Sequence, residues 1–440
     1  MARGSGGGAR LRAGTNVQLL AGTPSRLGLA AASSLAIVAL LATACGDARP
    51  SGPTTVLRVL MTDDWVSAPF VDAVREFERT HPAVRVDIDK GSISRMADTV
   101  RAGISSGAPP DVVQGHADTG AGQDLAQQVD DLWKKYGVRA GDYLPGAVED
   151  VTWGGHRYGL PLDSNAMALL YNVDRFQAAG VTPPNPSTTF GDFERIAQAL
   201  TSPDGSRRAL VVPVDSWVTY GWIKANGGEL MQVGGDDRPQ FSLNQPAVVD
   251  TIAYLEHLVD AGWAFGPTGP DARSTDAYAL FKSGAVAMYA SGSWDLVRIL
   301  KENPNGHYGV ALMPRGLSGA TEGTAMGGSS LWVPRRSTHR ELAFQFMLLL
   351  TSDQYALRFA KEEGRLPVRP RLFDDPYFKD PQLNVFVQQL TTAHPPILGA
   401  MHEASQAFDD ALVQVLREHA DPATVLNQAQ SRAVASVGPP

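Results

Sequence analysis

Four tryptophans stand at predicted turns or strand ends, where a large aromatic side chain could face a ligand. They are Trp65, Trp217, Trp222 and Trp294. An indole ring offers a flat apolar face that suits the C–H surface of a sugar ring, although core packing is the commoner fate of a tryptophan. The strongest candidate is Trp294, because "SGSWDL" (291–296) places it at a strand-to-helix turn, where free backbone N–H groups such as that of Ser293 point outward.

Polar side chains at the ends of other elements could pair with hydroxyl groups. Asp64 and Asp118 follow predicted strands, and His116 stands close to Asp118. A carboxylate at such a place can accept hydrogen bonds from a ligand, or it can cap the helix that follows. Arg365 follows Gly364 in "EEGRLPVR". It is either an ordinary surface arginine or a bidentate clamp for hydroxyl, carboxylate or phosphate groups.

These residue types do not form a recognisable catalytic or metal-binding motif. The nine histidines show no H-E-x-x-H spacing, and no Walker loop is present. A secreted glycoside hydrolase is the rival reading, but it would need two carboxylates with opposed pKa values across a cleft. Adjacent acidic pairs such as Asp63 and Asp64 are usually solvated instead. We therefore expect a binding protein without metal or cofactor, not an enzyme.

The segment that must position the first candidates alternates strand and helix signals. Strands are predicted at 55–62, 83–89 and 110–115, with helices at 67–82 and 94–107 between them. This order predicts a parallel sheet with right-handed crossovers. Ligands in such sheets bind beyond the carboxyl ends of the strands. Asp63–Trp65 and His116–Asp118 fall at those ends.

A second set of helices and strands follows without a Pro-, Gly- or Ser-rich linker. Two sheets without a linker indicate two lobes that are joined by several chain crossings rather than by one. No repeat of fixed period is visible, which disfavours an adhesin or another structural surface protein.

The N-terminal segment reads as a targeting signal. Residues 1–44 contain four arginines and no acidic residue, and 27–44 are apolar or small throughout. This pattern is typical of a secretory signal peptide, although eighteen such residues could nearly span a bilayer as a retained anchor. The end of the segment resembles the cleavage site of bacterial lipoproteins, except that Ala42 stands where that family usually has leucine.

Cys45 follows directly and is the only cysteine in the chain. In bacterial lipoproteins the cysteine after the cut carries the lipid, and acyl chains anchor the protein by burying CH₂ groups in the membrane. We expect lipidation of Cys45, with residues 45–55 as a flexible tether. A buried inert thiol is the alternative.

The predicted mature chain is acidic. Without residues 1–44 it has 34 basic and 46 acidic side chains, a net charge of −12. This balance argues against nucleic acid or an anionic membrane surface as the main partner. No later stretch approaches 18 apolar residues, so we expect a protein tethered to the extracytoplasmic face of the cell membrane rather than embedded in it.

Six stretches resemble, in the same order, the extracellular solute-binding proteins of carbohydrate ABC transporters, or family 1 solute-binding proteins. They are "FERTHPAVRVDID", "SSGAPPDVV", "YGLPLDSNAMALLYNVDRFQAAGV", "LFKSGAVAMYASGSWDL", "GGSSLWVPRRSTHRELAFQFMLLLTS" and "EEGRLPVR". Together they cover nearly all of the predicted mature chain. In overall look the chain is most similar to the UspC-type actinobacterial sugar-binding lipoproteins.

The resemblance implies an α/β fold of two lobes, the periplasmic-binding-protein-like fold of type II, which closes on a ligand between the lobes by a hinge. Three hinge crossings would fall near Leu162–Ala168, Met326–Val333 and Glu362–Arg369. The implied domains are lobe 1 at 56–163 and 329–365, and lobe 2 at 164–328 and 366–440.

The resemblance also implies cleft residues. Asn165 stands at the family's cleft position in the first crossing, and "VPVDSWVTYGWIKANGG" resembles a segment that lines the wall of the second lobe. This segment contributes Asp215, Trp217, Tyr220 and Trp222. Gly327 and Gly328 in "MGGSS" allow a close approach of the backbone.

The function implied is capture of a small carbohydrate, a neutral or amino mono- or disaccharide, and its delivery to membrane permeases of an ABC importer by a monomeric protein. A phosphorylated sugar or a glycerophosphodiester is the alternative ligand, for which Arg365 would serve.

Overall fold

The computed structural model describes residues 55–437 apart from 93–94, 234–237, 268–275, 317–322 and 396, and it leaves the side chains of 397 and 400 undescribed. The predicted signal peptide, Cys45 and all but the last residue of the predicted tether lie outside the described residues. The described residues belong to one compact unit.

Strands and helices alternate along most of the chain. The strands of the described residues are β1 (Thr55–Thr62), β2 (Val84–Gly91), β3 (Val112–Gly115), β4 (Thr152–Trp153), β5 (His156–Arg157), β6 (Gly159–Ala166), β7 (Ala168–Asn172), β8 (Leu210–Val211), β9 (Met231–Val233), β10 (Pro239–Phe241), β11 (Ala264–Phe265), β12 (Met288–Ser291), β13 (Tyr308–Ala311), β14 (Thr324–Trp332) and β15 (Ala393–His394). The α-helices are α1 (Ala68–Thr80), α2 (Met96–Ser106), α3 (Ala117–Gly122), α4 (Asp130–Lys135), α5 (Pro145–Glu149), α6 (Val173–Ala179), α7 (Phe190–Leu200), α8 (Ser216–Ala225), α9 (Pro246–Asp260), α10 (Ala277–Lys282), α11 (Ser293–Glu302), α12 (Arg340–Leu350), α13 (Asp353–Glu363), α14 (Pro381–Leu390), α15 (His402–Glu418) and α16 (Pro422–Ser436).

The first sheet confirms the predicted β-α-β-α-β order. β1 lies between β2 and β3 and is parallel to both. Helix α1 forms because Phe70, Val74 and Phe77 recur at helical spacing and are buried, while Pro69 stands in the first turn, where its missing N–H costs nothing. Both β1 and β3 therefore end at the same edge of the sheet.

The second sheet is antiparallel and smaller. Its central strand, β7, pairs with β12 on one side and β13 on the other. The residue that follows β12 is Gly292, which adopts an extended conformation and begins α11. This strand-to-helix turn matches the one predicted from "SGSWDL".

Three chain segments lie side by side where the first sheet continues beyond β3, since β14 pairs antiparallel with β3. β6 and β14 pair antiparallel, with Asn165 opposite Gly327 and Ser164 opposite Gly328. Ser164 also exchanges backbone hydrogen bonds with Leu366, at 2.8 and 3.1 Å. These are the three segments that were predicted as crossings, and they form one hydrogen-bonded group.

Two hydrophobic clusters make up the interior. The first contains residues of β1, β3, α1 and α12, but it also includes Phe281 of α10 and Phe386 of α14. The second packs α7, α8, α9, α15 and α16 together. The first cluster crosses the predicted lobe boundary, and the lobe bounds stay a prediction. Among the described residues, no helix combines the length and apolar character needed to cross a bilayer.

Candidate functional site

A cavity of about 750 Å³, the first cavity, opens where the carboxyl ends of β1 and β3 meet the three crossings and the start of α11. The side chains and glycine that face it from these elements are Thr62, Asp64, Trp65, Gln114, Asp163, Asn165, Trp294, Gly328, Ser329 and Arg365. Five of the predicted side chains thus lie around one space, and polar groups outnumber aromatic ones there. A volume of this size is ordinary for a small-molecule site.

Arg365 is held by two residues that are adjacent in the chain. Its guanidinium carbon lies 4.2 Å from the ring centroid of Trp65, and its Nη2 donates to Asp64 Oδ2 at 2.5 Å. Burial alone would raise the pKa of Asp64, but hydrogen bonding from Thr62 and the positive charge of Arg365 lower it below the usual value. With only 13 % of its side chain exposed, Arg365 is not an ordinary surface arginine.

A buried network forms the floor of the first cavity. Asp163 Oδ1 accepts from the backbone N and the hydroxyl of Ser329, both at 2.8 Å, and Asn165 Nδ2 donates to Asp163 Oδ2 at 3.3 Å. Gln114 Nε2 donates to Ser329 Oγ at 3.2 Å. Burial raises the pKa of Asp163 to about 6, although Arg365 and the Ser329 donors oppose the shift.

Ser293 connects two of the crossings to α11. Its hydroxyl lies 2.5 Å from Asn165 Oδ1 and 2.5 Å from the carbonyl oxygen of Gly364. The residue is fully buried. Its side chain therefore contributes to the site by orienting the Asn165 amide rather than by facing the cavity.

A second cavity of about 320 Å³ lies beyond Trp294 and Gly328, which border both cavities. Two indoles form one wall, since the rings of Trp217 and Trp294 lie 5.5 Å apart between centroids at 40°. Trp217 Nε1 donates to the carbonyl oxygen of Met326 at 3.1 Å, which fixes the ring. Both indoles remain partly exposed.

His116, Asp118 and Asp150 also line the second cavity. His116 Nδ1 lies 2.5 Å from Asp150 Oδ1. Burial works against charge on the imidazole, but the negative charges of Asp150, Asp118 and Asp163 prevail and raise the pKa of His116 to about 9. Burial and the neighbouring Asp150 raise the pKa of the Asp118 carboxyl.

One ligand atom from each of these three residues lies within 4.8 Å of the others, the spacing of a metal site. His116 Nδ1 already contacts Asp150 Oδ1, so a metal on that nitrogen would have to displace this contact. Glu256, Asp260 and His419 form a second such group, which is mostly exposed.

Gly327 and Gly328 leave no room for a side chain, because neighbouring atoms approach their backbone closely. Gly328 has φ +116°, and a Cβ there would lie 2.4 Å from the carbonyl oxygen of Asp163. A Cβ on Gly327 would lie 3.0 Å from Cζ2 of Trp217. Any side chain at these positions would disturb the strand pair or the indole, as the sequence interpretation of "MGGSS" anticipated.

Three predicted residues lie elsewhere, and the prediction is corrected for them. Trp222 is 2 % exposed and packs between Phe190 and Phe193 in the second cluster. Tyr220 is 1 % exposed, and its hydroxyl bonds Glu229 at 3.0 Å. Asp215 is exposed and caps α8 by accepting from Val218 N at 2.9 Å. Helix α8 presents only one face to the cleft, and that face carries Trp217.

Several polar residues that line the two cavities were not predicted from the sequence, among them Gln114, Asp150, Asp163 and Ser329. Two of these four had a usable signal, since Gln114 lies in β3, directly before the strand end that leads to His116, and Asp163 lies in the predicted crossing that contains Asn165. Asp150 had none, because its loop reaches the site only through tertiary packing.

Comparison with known proteins places this geometry in a family. The chain matches the family described as bacterial extracellular solute-binding protein over residues 62–357. A Streptomyces antibioticus protein, described as an uncharacterized lipoprotein in the oleD 5' region, is 27% identical over 354 residues, which are 78% of this chain and 77% of that relative.

Two solved structures share the fold. The ABC substrate-binding protein Lmo0181 from Listeria monocytogenes, in complex with cycloalternan, superposes with a TM-score of 0.76 at 19% identity, over 88% of this chain and 99% of that one. UgpB from Mycobacterium tuberculosis, in complex with glycerophosphocholine, superposes with a TM-score of 0.74 at 21% identity, over 88% of this chain and 98% of that one.

These likenesses confirm the predicted α/β fold of two lobes, of the periplasmic binding protein type. The family consists of binding proteins, which also confirms the expectation that the chain is not an enzyme. Because the family match spans more than half of its length, this protein belongs to the bacterial extracellular solute-binding proteins.

Proposed function

We propose that this protein captures a carbohydrate in the cleft formed by the two cavities and passes it to the permeases of an ABC importer. The observation that carries the proposal is the position of Trp294, which borders both cavities while Asp64, Asn165 and Arg365 face the first one. An aromatic face opposite planar polar groups suits a ring with an apolar C–H surface and a rim of hydroxyls. The cycloalternan complex of Lmo0181 supports a sugar ligand by analogy.

The second candidate ligand is a glycerophosphodiester. The presence of Arg365 in the first cavity and the likeness to UgpB in complex with glycerophosphocholine favour it. Two observations weigh against a ligand whose only charged group is a phosphate. Arg365 is already paired with Asp64. The lining of the first cavity also carries five carboxylates against three cations, namely Asp64, Asp163, Asp295, Glu302 and Glu363 against Arg298, Lys301 and Arg365. A phosphate would therefore meet net negative charge.

The remaining parts of the proposal concern location and assembly. A lipid on Cys45 would hold the protein at the outer face of the membrane, near the permeases, and the Streptomyces relative described as a lipoprotein supports this. We further propose that the protein acts as a monomer.

The test is a thermal-shift screen of the mature protein, because a ligand that binds only the folded state raises the apparent stability. Mono- and disaccharides form one arm, and sugar phosphates and glycerophosphodiesters form the other. Hits are then measured by calorimetry. Binding confined to the sugars supports the proposal, binding confined to glycerophosphodiesters replaces it with the second candidate, and the absence of any hit in both arms contradicts both.

A further inference from the structure

We infer that the second cavity is a subsite for a positively charged group of the ligand, an ammonium or a quaternary ammonium. The ligand class is then cationic or zwitterionic rather than a neutral sugar. This inference rests on the proposed function, because it assumes that the ligand occupies the cleft formed by the two cavities. It assigns the second cavity a task different from that of the first.

The second cavity has more acidic than basic side chains in its lining. Two carboxylates, Asp118 and Asp150, line the second cavity, and His116 is the only basic side chain among its described lining residues. His116 is engaged by Asp150 at 2.5 Å. When Asp118 is ionised, the two carboxylates and the one imidazolium leave one negative charge without a matching cation; burial and the negative charge of Asp150 raise the pKa of Asp118, which reflects the missing counter-charge.

Asp118 is a buried carboxylate. The residue is only 4 % exposed, and its carboxylate accepts hydrogen bonds from the neighbouring Thr119 rather than from a cationic side chain. A buried carboxylate is costly unless an opposite charge approaches it. A ligand cation that enters the cavity would supply that charge.

The second cavity also has an aromatic wall. Trp217 and Trp294 face the same cavity with ring centroids 5.5 Å apart, and Gly327 allows the Trp217 ring to approach the strand pair closely. Indole faces attract cations most strongly among the aromatic side chains. Two indoles and two carboxylates that line one cavity therefore favour a cation in two ways at once.

A neutral hydroxyl fits the same place less well. It could donate to Asp118, but it would leave the excess negative charge uncompensated in a space that a bound ligand shields from water. The first cavity also has more carboxylates than cations, but there Arg365 already covers the indole of Trp65 and pairs with Asp64. The described lining of the second cavity contains no arginine or lysine, so we place charge recognition there.

The experiment uses two pairs of ligands that differ by one charge. Glucosamine is compared with glucose, and glycerophosphocholine with its 3,3-dimethylbutyl analogue, in which carbon replaces the choline nitrogen. Calorimetry on the mature protein at pH 7 should show that the charged member of the pair that binds is preferred by about tenfold or more. Equal affinity within a pair that binds overturns the inference but leaves the proposed function standing.

Three variants assign the preference to this cavity, after thermal unfolding has shown that each is folded. Asp118→Asn should abolish the preference, because it should weaken the charged member much more than the neutral one. Trp217→Leu keeps an apolar wall without the indole face, so it should weaken the charged member more than the neutral one. Asp124→Asn removes an exposed carboxylate that pairs with Arg335 outside the cavity. It should change the affinity for neither the charged nor the neutral member.

A preference that survives both Asp118→Asn and Trp217→Leu places the cation elsewhere and overturns the subsite. Should Asp118→Asn fail to fold, the Trp217→Leu comparison decides alone. If no sugar and no glycerophosphodiester binds the wild-type protein, the proposed function falls, and the subsite falls with it.

Discussion

The guanidinium of Arg365 lies over the indole of Trp65, 4.2 Å from the ring centroid, while the preceding residue, Asp64, accepts its hydrogen bond. The partners stand 301 positions apart in the chain. This contact connects the end of β1 to the third crossing at the edge of the first cavity. It thus couples the shape of the binding site to a segment that is expected to move when the lobes close.

Arg365→Lys should weaken this contact, because an ammonium cannot cover the indole or form the same planar hydrogen bonds. We expect the free energy of unfolding to fall by about 1 kcal/mol and the affinity for the ligand to fall by about tenfold. Urea unfolding and calorimetry measure the two effects. Arg335→Lys, at an exposed ion pair, is the control, and an equal response of both variants would contradict the assigned role.

Trp294→Ala removes an apolar face from the cleft. We expect this to cost about 1–3 kcal/mol of binding free energy, which lowers the affinity roughly tenfold or more. The matched comparison is Trp222→Ala, which removes a core side chain and should cost about 3–5 kcal/mol of stability instead. Calorimetry and thermal unfolding separate these effects. Unchanged affinity in a folded Trp294→Ala protein would show that this map of the cleft is wrong.

The His116–Asp150 pair predicts a pH dependence of stability. Because the pKa of His116 is raised from 6.5 to about 9, its contribution is fully present below pH 6.5 and is lost as the pH rises through 9. With 39 % of the side chain exposed, solvent screening reduces this contribution to on the order of 1 kcal/mol.

Urea unfolding of wild type and His116→Gln at pH 6, 7.5 and 9.5 tests the sign. The stability difference between the two proteins should shrink as the pH rises. His156→Gln, which removes an exposed pair with Asp130, should show a much smaller difference throughout. A difference that grows with pH would refute the assignment.

Closure should make the liganded protein more compact. Ser293 lies 2.5 Å from both Asn165 and Gly364, so α11 is tied to two crossings and should move with them. Small-angle scattering with and without a saturating sugar from the screen should show a smaller radius of gyration in the complex. An identical profile would argue for a rigid pocket.

Lipidation predicts that Cys45→Ala is released from the membrane or left unprocessed. Fractionation of cells that express the full chain, with immunoblotting of membrane and soluble fractions, measures both outcomes. Ser51→Ala, in the same tether, is the control for changes in expression. Normal processing together with membrane retention of Cys45→Ala would exclude the lipid as the anchor.

Local pattern was sufficient for much of the fold. The alternation of apolar residues in 55–115 predicted β1 to β3 and the parallel pairing, because strand and helix periods depend on neighbouring residues alone. The same pattern placed Asp64 and His116 at strand ends. The order of the six family-like stretches predicted the three adjacent segments that now pair through Asn165 and Gly327.

Only tertiary packing separated the tryptophans. Trp217 and Trp222 stand on the same helix five residues apart, yet one faces the second cavity and the other is buried against Phe190. Likewise, nothing local indicated that Asp150 would pair with His116, 34 positions away. The sequence by itself determined which helices and strands form and which of them meet. It did not determine which side chains face one another, because burial and charge pairing depend on how distant segments pack.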